Sequence, residues 1–439
     1  MKKLLIIAYD FPPYVSVGAL RPYSWYKYLK EFGIEPVVVT RQWDNKYGNH
    51  LDYIAPSESE QVIIESSDHG TIIRAPYKPN LSNRLLLKYG ESRFKLLRKL
   101  VTAYYEFAQY ILPIGTKYTV YKAARNYLKE NQVDAIIATG DPYVLFRYAH
   151  KLSKVSNTRW IADYRDPWNT ALNSSKNSLV NIWNRIQEKR HVKSSMVITT
   201  VDELFKYEIN KVFPNKRIET IANGYDPEPF MEAAQISQNP NELRIAFVGT
   251  IYNWHPIRHF LNIFETFVRS LNKSDVKLVF YGTNIDNEIK KWINEDDLNI
   301  NRFVEIHSKM NNADLIRKLA TDNVMLLFNY YSFTGTKIYD YLALKRQILF
   351  CFLDDAESKR LKKIYYFEED FPELRPQEKI IRERNAGVLV KDGEHLISVL
   401  HELYNEFRSD HNIHCNSSFT EDFSRKSQTA KLAHLIIDL

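Results

Sequence analysis

Residues 3–40 decide the fold class, and they read KLLIIAYDFPPYVSVGALRPYSWYKYLKEFGIEPVVVT. Lys3–Tyr9 is a short apolar run typical of a buried strand, and Pro36–Thr40 is a second one. Between them, Leu20–Phe32 has the mixture of apolar and polar residues expected of a helix. A strand, a helix and a strand in this order predict a βαβ unit, because parallel strands need a crossover connection.

The same alternation continues along the chain and restarts once. The polar stretch 231–241 separates two series of predicted strands and is the best candidate for a linker. The predicted strands are Asp134–Thr139, Trp160–Asp163 and Met196–Thr200 before it, and Leu243–Val248, Val276–Tyr281, Phe303–Ile306, Val324–Phe328, Gln347–Phe352 and Gly387–Val390 after it. We therefore predict an α/β protein with two doubly wound Rossmann-like domains, residues 1–230 and 242–420, that face an interdomain cleft. We predict a further helix in residues 421–439. This helix is a candidate for packing back on the first domain.

Composition narrows the class of protein. The 439 residues are 44% hydrophobic and 26% charged, which excludes a disordered chain, a collagen and a coiled coil. The sequence has no run of about 18 apolar residues, so it predicts no membrane-spanning helix. Two cysteines, Cys351 and Cys415, provide neither a disulfide framework nor a metal-ligand pair at short spacing, so we expect a reducing compartment.

Positive charge is concentrated between Arg84 and Lys129. This stretch has ten Lys or Arg residues and two Glu residues, an excess of eight, whereas the whole chain has an excess of seven. Leucines and aromatic residues are interleaved with the charges, as in helices that lie on an anionic membrane. A helix with a solvated basic face is the alternative, and no recognised nucleic-acid motif favours a nucleic-acid partner.

Candidate site residues follow the predicted strands, where open α/β sheets bind their ligands. In the first domain, Gly18 begins a helix whose free N–H groups suit an anion. Asp141 follows the predicted strand Asp134–Thr139. The next strand, Trp160–Asp163, ends in a dense group of polar residues and a tryptophan, which are Asp163, Arg165, Asp166 and Trp168. Carboxylates and an arginine this close together are costly to bury without a purpose, and an Asp–Arg pair that only holds the loop is the alternative.

In the second domain, the first strand is followed by Gly249, Thr250 and Tyr252, and then by His255, which has the side chain expected to titrate near neutral pH. A later loop carries Thr334, Gly335 and Thr336 just before a predicted helix. The helix begins with Lys337 and Asp340, whose spacing of three puts them on one face. Free N–H groups and a lysine suit a phosphate, and a carboxylate suits ribose hydroxyls, whereas an exposed salt bridge is the simpler interpretation of the pair.

Five motifs in order along the chain resemble those of GT-B glycosyltransferases, in the large retaining group that builds bacterial surface polysaccharides. They are the opening Tyr9–Pro13 with Leu20–Ser24, the block Asp163–Trp168, Asn223–Asp226, Gly335–Ala343 and Phe423–Arg425. The block Asp163–Trp168 is similar to the Asp-Phe-Arg-Asp-Pro-Trp sequence of one branch of the group. Many members of the group have two glutamates with seven residues between them, whereas this chain has Ser332 and Asp340 at those positions.

The resemblance implies a GT-B fold and a nucleotide diphosphate sugar as donor, with transfer to a glycan or lipid-linked glycan and retention of configuration. It implies donor contacts from Gly18, Lys337 and Asp340, with the nucleobase near Ser308 and Lys309. Asp163, Arg165 and Asp166 are the expected catalytic residues, and the expected acceptor-side residues are Asp141, Trp168 and His255. No Asp-x-Asp pair is present, so we expect transfer without a metal and without a cofactor.

Two alternatives remain open at this point. A GT-B-type nucleotide-sugar epimerase would use the same two domains without an acceptor surface. A non-catalytic scaffold with the same fold is the other, and Ser332 is the reason to consider it. For the transferase we expect a cytoplasmic protein, peripheral at the inner face of the cell membrane, with no nucleic-acid partner.

Overall fold

The computed structural model describes residues 1–14, 16–43, 51–168, 179–273, 275–296, 298–366 and 370–439. Within these residues the chain divides into two compact units. The first comprises Met1–Asn223 and Arg425–Leu439, and the second comprises Gly224–Ser424. The predicted linker 231–241 thus lies inside the second unit, whose first helix is Pro227–Ala233.

The first unit is built on an eight-stranded sheet. Its strands are β1 Lys2–Ile7, β2 Ile34–Arg41, β3 Ile63–Ser66, β4 Thr71–Ala75, β5 Ala135–Gly140, β6 Arg159–Tyr164, β7 Val197–Thr200 and β8 Ile218–Thr220. Their order across the sheet is β3-β4-β2-β1-β5-β6-β7-β8, and only the β3–β4 pair is antiparallel. The order of the strands reverses direction between β1 and β5, which makes their carboxyl ends the expected place for a ligand.

Helices on both faces cover this sheet. They are α1 Val17–Tyr28, α2 Leu81–Tyr89, α3 Lys95–Ala108, α4 Tyr118–Glu130, α5 Val144–Ser156, α6 Leu179–Val192 and α7 Glu203–Val212, with 3₁₀ turns at Leu29–Phe32 and Asp52–Ile54. The central strands are near-continuous apolar runs because both of their faces are covered. Leu4, Leu5, Ile6 and Ile7, for example, have no exposed surface.

The second unit is built on a six-stranded parallel sheet with the order β11-β10-β9-β12-β13-β14. Its strands are β9 Leu243–Val248, β10 Val276–Tyr281, β11 Val304–His307, β12 Val324–Phe328, β13 Gln347–Cys351 and β14 Gly387–Val390. Its helices are α8 Pro227–Ala233, α9 Ile257–Arg269, α10 Asp286–Glu295, α11 Asn312–Thr321, α12 Lys337–Leu344, α13 Ala356–Tyr365, α14 Pro376–Glu383 and α15 Gly393–Asp410, with 3₁₀ turns at Asn301–Phe303 and Thr420–Phe423. The reversal of strand order falls between β9 and β12.

The last helix, α16 Arg425–Ile437, belongs to the first unit. Its Leu432 and Ile436 join the core cluster that contains Trp25 of α1. The amide oxygen of Gln428 accepts a hydrogen bond of 2.8 Å from the backbone N–H of Ala222. The C-terminal segment therefore supplies part of the apolar core on which α1 rests.

No helix in the described ranges combines the length and the hydropathy that crossing a bilayer requires.

Candidate functional site

A cavity of about 470 Å³ opens at the carboxyl ends of β1, β5 and β6 in the first unit. Asp10 enters it from the loop after β1, Asp141 from the loop after β5, and Arg165 and Trp168 from the loop after β6. Because β1, β5 and β6 are neighbours in one parallel sheet, residues far apart in sequence reach the same point. Of the predicted residues, Asp141, Arg165 and Trp168 are brought together here.

Arg165 is the central positive charge of the cavity. Its Nη1 lies 3.6 Å from a carboxylate oxygen of Asp10, and its Nε lies 3.4 Å from one of Asp166. Burial raises the pKa of Asp10 to about 6, although the nearby Arg165 opposes this shift. Burial also raises the pKa of Asp141, again against the attraction of Arg165. These carboxyl groups can therefore take up or release a proton more readily near neutral pH than ordinary aspartates.

The absence of a side chain at Gly18 leaves room for the guanidinium group of Arg165. A Cβ atom at Gly18 would overlap Nη1 of Arg165, so only a glycine lets the guanidinium group lie against the first turn of α1. Ser16 caps the same helix, since its Oγ accepts a hydrogen bond of 3.0 Å from the N–H of Ala19. The space in which we expected an anion beside Gly18 thus holds a guanidinium group.

The structure places Asp163 outside the cavity. It has no exposed surface and is held by Arg21, whose Nη2 donates a hydrogen bond of 2.7 Å to Oδ1. Thr199 donates a second hydrogen bond of 2.7 Å to the same oxygen. Nη1 of Arg21 also donates to the carbonyl oxygen of Ile221 at 2.7 Å. Asp163 therefore joins β6 to α1 and β7, and it cannot contact a ligand in the cavity without a rearrangement, contrary to the predicted direct role.

Aromatic rings form one wall of the cavity. Trp168 stacks on Tyr143, with ring centroids 5.1 Å apart and planes 5° from parallel, and on Tyr110 at 5.5 Å. The hydroxyl of Tyr143 donates a hydrogen bond of 2.7 Å to the backbone oxygen of Asp166. This stack fixes the loop after β6, whereas the side chain of Asp166 itself is 60% exposed.

Other cavity residues were missed in the sequence, namely Asp10, Tyr53, Glu106, Lys117 and Tyr143. A signal existed for Asp10, because it is a carboxylate directly after a buried strand, like the residues singled out after β6. No pattern in the sequence marks Glu106 or Lys117 as a site residue. They come from a helix and a loop whose approach to the sheet is a property of the tertiary structure.

In the second unit, the loops after β9 and β12 meet. Gly249 has a φ of 88°, which favours glycine, and a Cβ atom there would lie 3.5 Å from Cε of Lys337. Nζ of Lys337 lies 3.4 Å from Oδ2 of Asp340, and each side chain is about one-third exposed. Thr336 is the N-cap of α12 without a side-chain capping bond. The structure thus brings Gly249, Thr336, Lys337 and Asp340 together at one edge of the sheet.

The remaining predicted donor residues lie around this point. Gly335 is close to the ring of Tyr330, since a Cβ atom would lie 3.2 Å from Cε1, and Thr334 is largely buried. Thr250, Ser308 and Lys309 are exposed, in loops that follow β9 and β11. Gly282, after β10, has a φ of 59° and would place a Cβ atom 3.3 Å from Cα of Lys309, so the loops after β10 and β11 are also in contact.

Tyr252 and His255 lie in an aromatic cluster. Tyr252 stacks on Trp254 with centroids 4.5 Å apart and contacts the edge of Tyr330 at 5.6 Å. His255 is 3% exposed, and burial lowers its pKa to about 3. The prediction that His255 titrates near neutral pH is therefore wrong, because its imidazole is buried against Phe328 and Tyr330. Its Nε2 has no hydrogen-bond partner among the described residues.

Ser332 has a structural role. It is fully buried, its Oγ donates a hydrogen bond of 3.0 Å to Asp370, and the same atom accepts one of 2.8 Å from the N–H of Phe371. Burial alone would raise the pKa of Asp370, but hydrogen bonds from Arg375 and Lys362 hold it at about 2. The position that departs from the glutamate pattern thus anchors the segment before α14.

No group of three or more His, Cys, Asp or Glu side chains with the geometry of a metal site occurs in the described part of the chain.

Comparisons with known proteins reveal similarity of structure only. No family model matches the sequence, and no curated protein matches it significantly. Among solved structures, sucrose-phosphate synthase from Thermosynechococcus elongatus is similar to this chain, with a TM-score of 0.57 and 13% identity. The match covers 100% of this chain and 99% of the synthase. HepE from Anabaena in complex with UDP matches 100% of both chains, with a TM-score of 0.55 and 10% identity. A glycosyltransferase from Rickettsia africae matches 100% of this chain over 98% of its own, with a TM-score of 0.55 and 13% identity. At these identities the similarity concerns the fold, and it confirms the predicted α/β architecture with two parallel-sheet domains of the GT-B class.

Proposed function

We propose that this protein is a glycosyltransferase that moves a sugar from a nucleotide diphosphate sugar to a glycan or lipid-linked glycan acceptor. The observation that carries the proposal is the cavity at the β1–β5 reversal, where Arg165 lies against Gly18 among three carboxylates. Carboxylates and a guanidinium group are suited to hold sugar hydroxyls in a fixed orientation. Solved structures of the same fold include enzymes named as sugar-phosphate synthases and glycosyltransferases, which supports the assignment.

The donor would bind to the second unit. Lys337, at the start of α12, would meet the diphosphate together with the N–H groups of that helix, and Asp340 would accept hydrogen bonds from ribose hydroxyls. Gly249 leaves room for the donor beside Lys337 because it has no side chain. HepE, which has the same fold, is known in complex with UDP, and this favours a nucleotide as the leaving group.

In the proposed reaction the bond between the sugar and the diphosphate breaks, and the acceptor oxygen forms the new glycosidic bond. Positive groups near the diphosphate stabilise the charge that develops on it, without a metal ion or cofactor. In a front-face transfer with retention of configuration, the acceptor approaches on the face that the leaving group vacates, and a diphosphate oxygen takes the acceptor proton. Arg165, Asp166 and Asp141 would orient the acceptor, and the largely buried Asp10 would hold Arg165 in place through their ion pair. Asp163 would act as a positioning residue through Arg21.

We also propose that the stretch 84–129 binds an anionic membrane surface. The protein would then work on the cytoplasmic side, at the inner face of the cell membrane. Its proposed role there is in surface polysaccharide synthesis. The support is the exposure of its basic residues, since Lys88, Arg93, Lys95 and Lys99 all lie on the surface. Each basic residue that reaches an anionic bilayer contributes roughly 1 kcal/mol.

A thermal-shift panel of UDP-, GDP-, dTDP- and CMP-linked sugars tests the donor assignment. A ligand at a hundredfold excess over its Kd stabilises the native state by about 2.7 kcal/mol. One nucleotide class should raise Tm for the wild type and fail to do so for Lys337→Ala. A transferase would then release nucleotide only when an acceptor is added, an epimerase would convert the donor alone, and a scaffold would bind none of the panel.

A further inference from the structure

Helix α3 exposes an apolar stripe to the surface. Leu96, Leu100, Tyr104 and Phe107 follow one another at spacings of four, four and three residues, and they are 73%, 62%, 56% and 37% exposed. Such spacing puts them on one face of the helix. Ala108, at 9% exposure, is the one residue of α3 that is buried. From Leu96 to Phe107 the helix rises by eleven steps of about 1.5 Å, or about 16 Å.

The stripe ends at the cavity of the first unit. Phe107, its last residue, lines the cavity and contacts Trp183 of α6 with ring centroids 5.7 Å apart. Val180 and Trp183 line the cavity from α6, and the outward residues Leu179, Ile182 and Ile186 of that helix are 82%, 52% and 53% exposed. An apolar surface therefore runs from the outside of the protein to the edge of the polar pocket.

The pocket itself favours hydroxyl groups over phosphate. Three carboxyl groups, those of Asp10, Glu106 and Asp141, share it with two cations, those of Lys117 and Arg165. Carboxylates repel a phosphate, but they accept hydrogen bonds from sugar hydroxyls. Trp183 adds a buried indole N–H that has no acceptor in the described part of the chain, so a ligand oxygen could supply one.

We propose that the acceptor is an amphiphile whose sugar head group occupies this cavity while its hydrocarbon chain lies along the α3 stripe. The inference rests on the proposed transferase function and names its acceptor class. The hydrocarbon chain is the occupant that fits both ends of the surface, because the stripe is apolar and leads into a pocket for hydroxyls. Lys95 and Lys99 are exposed on the same helix, as suits a protein that takes its substrate from an anionic bilayer.

Binding of methyl, octyl and dodecyl β-D-glucopyranoside, each below its critical micelle concentration, tests the proposal without vesicles or catalysis. The signal is the fluorescence of the cavity tryptophans, with calorimetry as a second measurement. We expect octyl glucoside to bind at least tenfold more tightly than the methyl compound, and dodecyl more tightly still. The double variant Leu100→Gln and Tyr104→Gln should reduce the octyl-to-methyl ratio below threefold. Val155→Gln is the matched control, because Val155 is an apolar residue that is 69% exposed on α5.

Three results would overturn the proposal. The first is equal or undetectable binding of the methyl and octyl compounds by the wild type. The second is an unchanged octyl-to-methyl ratio in the stripe variant. The third is a wild-type dimer that the stripe variant converts to a monomer, which would assign the stripe to a second copy of the chain. The donor panel is independent of all of these, so failure of the transferase proposal would be seen there as the absence of nucleotide-sugar binding.

Discussion

Gly18 and Arg165 are complementary in shape, because the guanidinium group of one occupies the space that a side chain on the other would fill. We predict that Gly18→Ala displaces Arg165 and lowers transfer at least tenfold, with a small change in stability, since Arg165 ends a flexible side chain. Steady-state rates and thermal unfolding of the variant check this.

A double-mutant cycle tests whether Gly18 acts through Arg165. If it does, Gly18→Ala adds no further loss of activity to Arg165→Ala. Additive losses from the two substitutions would show that the glycine contacts substrate on its own account.

The pKa of Asp10 predicts how stability depends on pH. Burial raises this pKa from 3.8 to about 6, so the folded state binds more protons than the unfolded state between these values. The free energy of unfolding should therefore fall as pH rises from about 4 to 6 and then level off. Asp10→Asn should remove this contribution and stabilise the protein at pH 7 by about 1 to 3 kcal/mol. Urea unfolding of both proteins at pH 4, 5, 6 and 7 measures the difference, and parallel pH profiles would contradict it.

Lys337 and Asp340 should be needed for donor binding and dispensable for folding. A partly exposed pair of this kind contributes little to stability, whereas a charge-assisted hydrogen bond to a ligand contributes about 1.5–3 kcal/mol. We expect Lys337→Ala and Asp340→Ala each to weaken nucleotide-sugar binding about ten- to a hundredfold with unchanged Tm. Lys379→Ala is the control, since it also removes a lysine from an exposed helical pair in the second unit. Unchanged donor affinity in both variants would remove α12 from the site.

Transfer should continue in the presence of EDTA. The positive charge that the leaving diphosphate needs would come from Lys337 and the N–H groups at the start of α12. Initial rates before and after dialysis against EDTA measure this, and a loss that Mg²⁺ or Mn²⁺ restores would contradict it.

The basic surface should bind anionic vesicles in a salt-dependent way, because screening acts over about 8–10 Å at physiological salt. Reversing the charge of Lys88, Arg93, Lys95 and Lys99 to Glu should abolish sedimentation with such vesicles. Arg98 is left intact, because it donates a hydrogen bond to the backbone of Glu91 and so supports the turn before α3. The control reverses four exposed lysines of the second unit, Lys273, Lys290, Lys291 and Lys379. Equal loss in both variants would show that net charge alone is responsible.

The buried strands could be predicted from the sequence, in several cases to the residue. Leu243–Val248 and Val276–Tyr281 agree with the structure because strands buried on both faces are nearly continuous apolar runs. The strands that were missed, β3, β4 and β8, lie toward the edges of the first sheet. β3 is exposed at every residue and β8 has three residues, so neither has the apolar signature of a buried strand.

The candidate site was predictable only where it depends on strand order. Asp141 and Arg165 follow neighbouring parallel strands, so the pattern alone places them together. Asp163 has the same local signature but is buried in an ion pair with Arg21, a residue 142 positions away that no local pattern connects to it. The apolar burial of His255 likewise depends on Phe328 and Tyr330, from the end of a strand much later in the chain.

The position of α16 has a consequence for the order in which the protein is made. Leu432, Leu435 and Ile436 complete a core that otherwise consists of residues from the first half of the chain. During synthesis the ribosome has to add the whole second unit before these side chains exist. The apolar surface of α1 and its neighbours therefore stays exposed until α16 has been made. The nascent first unit should therefore be a better chaperone substrate than the finished one, until the last helix emerges and docks.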